Sequence, residues 1–114
     1  MPSLTAGRLR HRIDIQRRED VQDPATGEMV SGWATVWSAV PAAIEPLSAR
    51  EFIAAQSVQS QVVARITLRY REGLDASMRI LHRGAVYNIA GLLPDKDSGL
   101  EYFTVPVSAG VNQG

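Results

Sequence analysis

The strongest constraint on the fold is strict two-residue alternation in two separate stretches. In VVARITLRYR, Val62 to Arg71, the residues Ala64, Ile66, Leu68 and Tyr70 alternate with Val63, Arg65, Thr67, Arg69 and Arg71. Successive side chains of an extended chain point to opposite faces, so one face is core and the other basic. The opening GRLRHRIDIQRRE, Gly7 to Glu19, behaves in the same way. Leu9, His11, Ile13, Ile15 and Arg17 fall on one side, and Arg10, Arg12, Asp14, Gln16 and Arg18 on the other. A helix would set Ile13 and Ile15 about 200° apart. The five arginines of this segment are therefore mostly the solvent face of a half-buried strand, and not a basic arm reaching for nucleic acid.

The rest of the chain follows the same grammar. QDPATGEMVSGW holds Asp23-Pro24 and Thr26-Gly27, both turn signals, and reads as a loop. Trp33 to Ile44 is rich in aromatic and β-branched residues and reads as a second strand, at an edge or bent at Pro41. Ser77 to His82 and Ala85 to Leu93 form a hairpin closed by Arg83-Gly84, with Gly91 a candidate bulge. PDKDSG is a polar turn whose Asp95 and Asp97 read as solvated. Leu100 to Ser108 is the last strand, with Pro106 suggesting an edge, and Ala109 to Gly114 reads as a frayed tail. About six strands and one short helix, with a turn every ten residues or so, predict an all-β chain: a small antiparallel barrel with one long insertion.

That insertion, Leu47 to Gln61, breaks the pattern. Ser48-Ala49-Arg50-Glu51 is a capping box, and the Ala, Arg, Glu and Gln around it favour helix from about Ala49 to Val58. Its apolar content is thin, so such a helix needs another surface to hold it. Long connections inside compact domains are more often functional or mobile than incidental. Ser48 and Glu51 can be there simply to cap a helix whose Phe52 packs on the barrel. Alternatively, Arg50, Glu51, Phe52 and Gln56 are presented outward on an arm.

With 114 residues, the chain has the length of one domain. No apolar run approaches the roughly 20 residues that span a bilayer, and MPSLTAGRLR has no apolar segment before its charges, so neither a membrane span nor a signal peptide is expected. Cysteine is absent, which excludes disulfides and thiolate metal sites and fits a reducing cytosol. Net charge is zero, from 12 basic and 12 acidic residues, unlike the positive excess of a general nucleic-acid binder. The distribution is uneven. Residues 1–18 carry five Arg against one Asp (+4), residues 65–83 five Arg against Glu72 and Asp75 (+3), and the remainder Arg50 and Lys96 against nine carboxylates (−7).

No catalytic constellation emerges. His11 and His82 lack metal-ligand spacing, there is no phosphate-binding Gly-rich loop, and DPATGE lacks the alternating oxygen ligands of a calcium loop. No nucleophile is paired with a base, so no enzyme activity and no cofactor are expected. Arg65, Arg69 and Arg71 could suggest a platform for single strands, but Tyr70 falls on the opposite face, whereas stacking platforms need both on one surface. Association with protein remains, and Trp33, Trp37, Arg50 and Phe52 are of the types that anchor interfaces.

The ordered set of segments resembles the bacteriophage head–tail joining family of SPP1 type, also called head-closure or stopper proteins. GRLRHRIDIQRRE looks like its opening strand, and DPATGEMVSGWATVWSAVPAAIEPL, Asp23 to Leu47, like its turn and Trp-bearing second strand. SAREFIAAQ, Ser48 to Gln56, is similar to its small-residue–Arg–Glu segment. ARITLRYREGLDASMRILHRGAVYNIAGLLPD, Ala64 to Asp95, looks like its arginine-rich strand and following hairpin. The likeness spans residues 7–108. It implies a small β-barrel with a projecting loop or helix. Copies would form a homo-oligomeric ring, a hexamer with a dodecamer as the alternative, below the portal adaptor in the virion neck. Subunits would be assembled in the host cytoplasm, and prophages and gene transfer particles use similar parts. The ring would enclose the DNA channel without reading sequence, retain packaged DNA, and dock the tail terminator or tail tube. The resemblance points to Leu47, Arg50, Glu51, Phe52 and Gln56 of the arm, with Trp33 and Trp37, as partner contacts. Two rival readings stand beside it, a tail terminator or tail completion protein and a small nucleic-acid-binding barrel.

Overall fold

Alternation in the sequence becomes alternation in burial. In the structure, a computed structural model that describes residues 9–110, Ile13 and Ile15 are fully buried while Arg10, Arg12 and Arg17 are exposed. Among the described residues the order is β1 (His11–Gln22), β2 (Met29–Pro46), α1 (Ala49–Ser57), β3 (Val62–Arg69), β4 (Arg79–His82), β5 (Ala85–Ile89), β6 (Leu93–Pro94) and β7 (Tyr102–Ala109). The pairings are antiparallel and run β3-β2-β1-β4-β5-β7, and β7 pairs back onto β3, so six strands close on themselves. The two-residue β6 adds to β7 from outside that circuit. Closure of the barrel shortens the unpaired edge that an open sheet of short strands exposes to aggregation.

The core is the inside of this closed sheet. Ile13 and Ile15 of β1, Ile66 and Leu68 of β3, Ile80 of β4, and Val105 and Val107 of β7 are fully buried. Ile66 lies opposite both Ile44 and Val105, at the seam where β3 joins β2 to β7. Branched side chains suit this setting because they pack well on a pleated, half-buried surface. Tyr70 completes one end, its ring stacked on Phe103 at 5.0 Å.

Pro106, read as an edge marker, and Pro41, read as an edge or a bend, both lie in strands with neighbours on both sides. Pro41 pairs with Arg12 of β1, and the β2–β3 ladder begins only at Ala42, so the missing N–H falls where β2 changes partner. The strand bends there. The β1–β2 register shifts on either side of Ile15, and Ala39 adopts a positive φ of 53°. That backbone is unfavourable for alanine. Asp14 Oδ1 accepts a hydrogen bond from Ala39 N–H at 2.9 Å and holds the bulge. Pro106 sits in β7 between the residues paired to β6 and those paired to β5. Its carbonyl accepts from Ala90 N–H at 2.8 Å, so its nitrogen faces the gap after β5, beside Gly91.

Turn chemistry explains the other corners. Arg83 and Gly84 both have positive φ, 50° and 83°, the requirement of a two-residue hairpin turn between β4 and β5. Asp95 departs from the solvated-turn reading: it is buried. Its carboxylate accepts from the N–H groups of Ser98 (2.8 Å) and Glu101 (2.9 Å), and from Ser98 Oγ (3.2 Å), so it organises the loop into β7. These donors, Ser98 N–H foremost, hold its carboxyl well below the usual aspartate range. The first two residues of the expected tail belong to the fold. Ala109 closes β7 and Gly110 N–H donates to Val86 O at 2.7 Å, while residues 111–114 lie outside the described residues.

The largest departure is the segment read as a loop around Asp23. β1 continues to Gln22 and β2 starts at Met29, paired from Gln16↔Thr35 out to Gln22↔Met29. β4 covers β1 only from Asp14 to Gln16. Beyond Gln16 the two strands form a lone ribbon, about 20 Å long at 3.3 Å per residue. Its tip is built by Asp23, whose Oδ1 accepts from Ala25 N–H at 2.8 Å and whose carbonyl accepts from Gly27 N–H at 2.7 Å.

Candidate functional site

The helix of the insertion forms as its sequence dictates. Ser48 Oγ accepts from Glu51 N–H at 3.2 Å, and Glu51 Oε1 accepts from Ser48 N–H at 3.0 Å, completing the capping box. At the other end Gln59 takes a positive φ of 58°, Gln59 N–H donates to Gln56 O at 3.0 Å, and Ser60 N–H to Ala55 O at 2.8 Å. This is a Schellman stop with glutamine in the place usually taken by glycine. Both ends are thus satisfied within a helix of nine residues.

What the helix lacks is a buried face. None of its residues is buried, and Phe52 is 45% exposed, Ile53 67% and, just past the end, Val58 74%. Of the two readings, the one that packs Phe52 on the barrel is disfavoured: Phe52 is not buried and is not among the partly buried residues packed on the core. The arm is instead tied down by polar groups. Glu51 makes a two-pronged ion pair with Arg65 of β3, Nη1 to Oε2 and Nη2 to Oε1, and Leu47 N–H donates to Val63 O at 3.1 Å. Both side chains of the pair stay more than a third exposed, so its role is orientation more than stability.

Arg65 is the residue that sequence reasoning missed, since it appeared there only as one of several arginines on a strand face. The Arg65 guanidinium, with the Ser48 N–H, draws the Glu51 carboxyl down to about 2, and Glu51 in turn raises Arg65. A lowered carboxyl stabilises the arm only while ionised in the folded state. The contribution is complete above the ordinary glutamate value of 4.5 and lost as pH falls toward about 2. We expect the amide resonances of Ala49 to Ser57 to lose dispersion and exchange protection between pH 4.5 and 2, with Glu51→Gln showing that loosened arm already at neutral pH. NMR titration of the two proteins checks this.

The seven residues singled out from the sequence fall into two groups. Leu47, Arg50, Glu51, Phe52 and Gln56 are together on the arm, with Arg50, Phe52 and Gln56 exposed and Leu47 and Glu51 partly covered. Trp33 and Trp37 are elsewhere, in the hairpin half of β2, each half-buried beneath an arginine. The Arg79 guanidinium stands 4.3 Å from the Trp33 ring centroid and Arg71 5.6 Å from that of Trp37. Arg79 is buried, and its Nε donates to Gln16 Oε1 at 2.8 Å. These arginines are thus engaged within the chain. Ile53 and Val58 join the exposed arm surface, and Val21, Met29 and Val30 form a second exposed apolar group on the hairpin. Among the described residues, no three His, Asp or Glu side chains cluster as a metal site would require.

The closed antiparallel sheet thus holds an ordered, unburied helix and a long ribbon away from its core. Comparison with known proteins gives the class. A profile of the phage head completion protein family matches residues 4–110. Head completion protein gp7 of Enterobacteria phage HK97 is 33% identical over 93 residues, 77% of this chain and 81% of that protein. The solution structure of protein SF1141 from Shigella flexneri 2a superposes with a TM-score of 0.70 at 28% identity, covering 96% of this chain and 100% of the other. The chain belongs to the phage head completion protein family, a structural family of the virion head–tail interface. Its partners are other head and tail proteins of the virion.

Proposed function

We propose that the chain is a head-closure subunit. Copies form a ring below the portal adaptor, coaxial with the DNA channel, that retains packaged DNA and offers a face to the tail terminator or tail tube. The observation that carries this reading is the arm: capped at both ends and oriented by Glu51–Arg65, it nonetheless buries none of its residues. A helix this short is marginal alone, and holding Phe52 and Ile53 in water is unfavourable unless another surface covers them. Leu47, Arg50, Glu51, Phe52 and Gln56 are assigned to contact with the adjoining ring. Trp33 and Trp37 are assigned to a separate contact on the hairpin side.

The family supports head completion over a tail-terminator role. A DNA-binding barrel is disfavoured because Arg65, Arg71 and Arg79 are engaged inside the chain, by Glu51, Trp37 and Trp33. Native mass measurement of the chain alone and then with a purified portal–adaptor complex tests the reading. Several copies added to the complex are expected. No association with the complex, at any concentration that keeps both soluble, would overturn the reading.

A further inference from the structure

Beyond Gln16 the projecting ribbon of β1 and β2 pairs with no other described strand. A two-stranded ribbon with both faces in water is marginal, yet this one carries Val21, Val30 and Met29 exposed at its outer end. Val21 and Val30 are directly paired, so they form one apolar spot on one face. Residues 19–30 around that spot hold Glu19, Asp20, Asp23 and Glu28 and no basic residue. The tip is therefore an apolar spot in an acidic rim.

A complementary surface lies at the other end of the same strands. Arg12 of β1 pairs with Pro41 of β2, and continuing the Ala42↔Leu68 register by one residue sets Arg69 of β3 on the far side of Pro41. All three are exposed. Two guanidinium groups thus flank a proline on the outer face of the barrel. Among the described residues, Arg12 donates to the carbonyls of Leu9 and His11, at 3.3 and 3.4 Å. Asp20 is already tied through Ser31 to Arg18, and Asp23 holds the turn through Ala25 N–H, so Glu19 and Glu28 are the carboxylates that suit the patch.

The two surfaces cannot meet within one chain. His11 and Gln22, the ends of β1, are separated by up to about 36 Å of extended strand. Contact must be between copies. Because the two surfaces differ, it is head-to-tail, the kind of contact that closes into rings. We infer that the acidic hairpin tip, with Val21 and Val30 at its centre, docks on the Arg12–Pro41–Arg69 face of the next copy of this chain. This rests on the ring-forming reading above and names the surface that builds the ring.

Charge reversal tests it. One variant carries Glu19→Lys and Glu28→Lys; another carries Arg12→Glu and Arg69→Glu; a third combines both sets. All four positions are exposed, and far-ultraviolet circular dichroism confirms folding. By native mass spectrometry over a concentration series, the wild type is expected to form multimers. Each single set should raise the half-assembly concentration at least about tenfold. The combined variant, and an equimolar mixture of the two single sets, should restore assembly, because in both every reversed tip meets a reversed patch. Wild-type multimers unaffected by either set would overturn the hairpin contact while leaving the ring reading intact. A wild type that stays monomeric would also overturn the contact, and copy number in completed particles would then decide the ring reading separately.

Discussion

Replacing residues 48–61 by a short Gly-containing turn is expected to leave a folded barrel that no longer joins heads to tails. The structure makes the excision clean. β2 and β3 are already antiparallel neighbours up to Pro46↔Ala64, and Leu47 N–H donates to Val63 O, so the arm interrupts what would otherwise be an ordinary hairpin. Nothing buried is lost, since none of the helix residues is buried. The Glu51–Arg65 pair is lost, but exposed pairs contribute little, and shortening the loop slightly lowers the entropy cost of closing it. Thermal unfolding should therefore stay within a few degrees of the wild type. Particle assembly in cells supplied only with the shortened chain should yield tailless heads, with infectious titre falling to that of particles made without the chain. Wild-type titre with the shortened chain would show that the arm is dispensable and would remove it from the interface.

The opposite pattern is expected at the barrel seam. Ile66 is fully buried and lies between Ile44 and Val105, where closure of the sheet is completed. Ile66→Ala removes its branched side chain and leaves a cavity that the surrounding strands only partly fill, costing about 2–5 kcal/mol. Against a total of roughly 5–15 kcal/mol for such a domain, this is a large fraction. Tm should fall by roughly 10–20 °C. Ile53→Ala, on the arm at 67% exposure, is the matched control and should change stability by no more than about 0.5 kcal/mol. Thermal and urea unfolding of the two variants separates core from arm. Equal losses would mean that α1 is packed in solution in a way the structure does not show.

The parts of this protein that were legible in its sequence are those where one face is buried. Ile13, Ile15, Ile66 and Leu68 alternate with polar residues because the sheet has an inside, and that pattern placed β1 and β3 in advance. Ser48 and Glu51 declared the helix because capping is local chemistry that needs no tertiary partner. The outer ribbon, residues 19–22 and 29–32, was read as a loop because the barrel buries neither of its faces there, so its residues carry no alternation to read. The Glu51–Arg65 pair was invisible for a different reason: it joins residues fourteen apart that only the return of β3 brings together. Pro106 misled because a proline needs only one missing hydrogen bond, and a strand that changes partners supplies it without being an edge, whereas Pro41 marked the bend that was one of its two readings. For the arm, the sequence showed a helix with too little apolar content to hold itself. The structure adds that Phe52 and Ile53 are left uncovered.

That the chain completes the head so that a tail can attach is open to reconstitution. Particles assembled without it should accumulate as tailless heads, and adding the purified wild-type protein with free tails should convert them to tailed, infectious particles, counted by electron microscopy and plaque titre. Heads that acquire tails in its absence, or that stay tailless after it is added, would contradict a role at the head–tail interface.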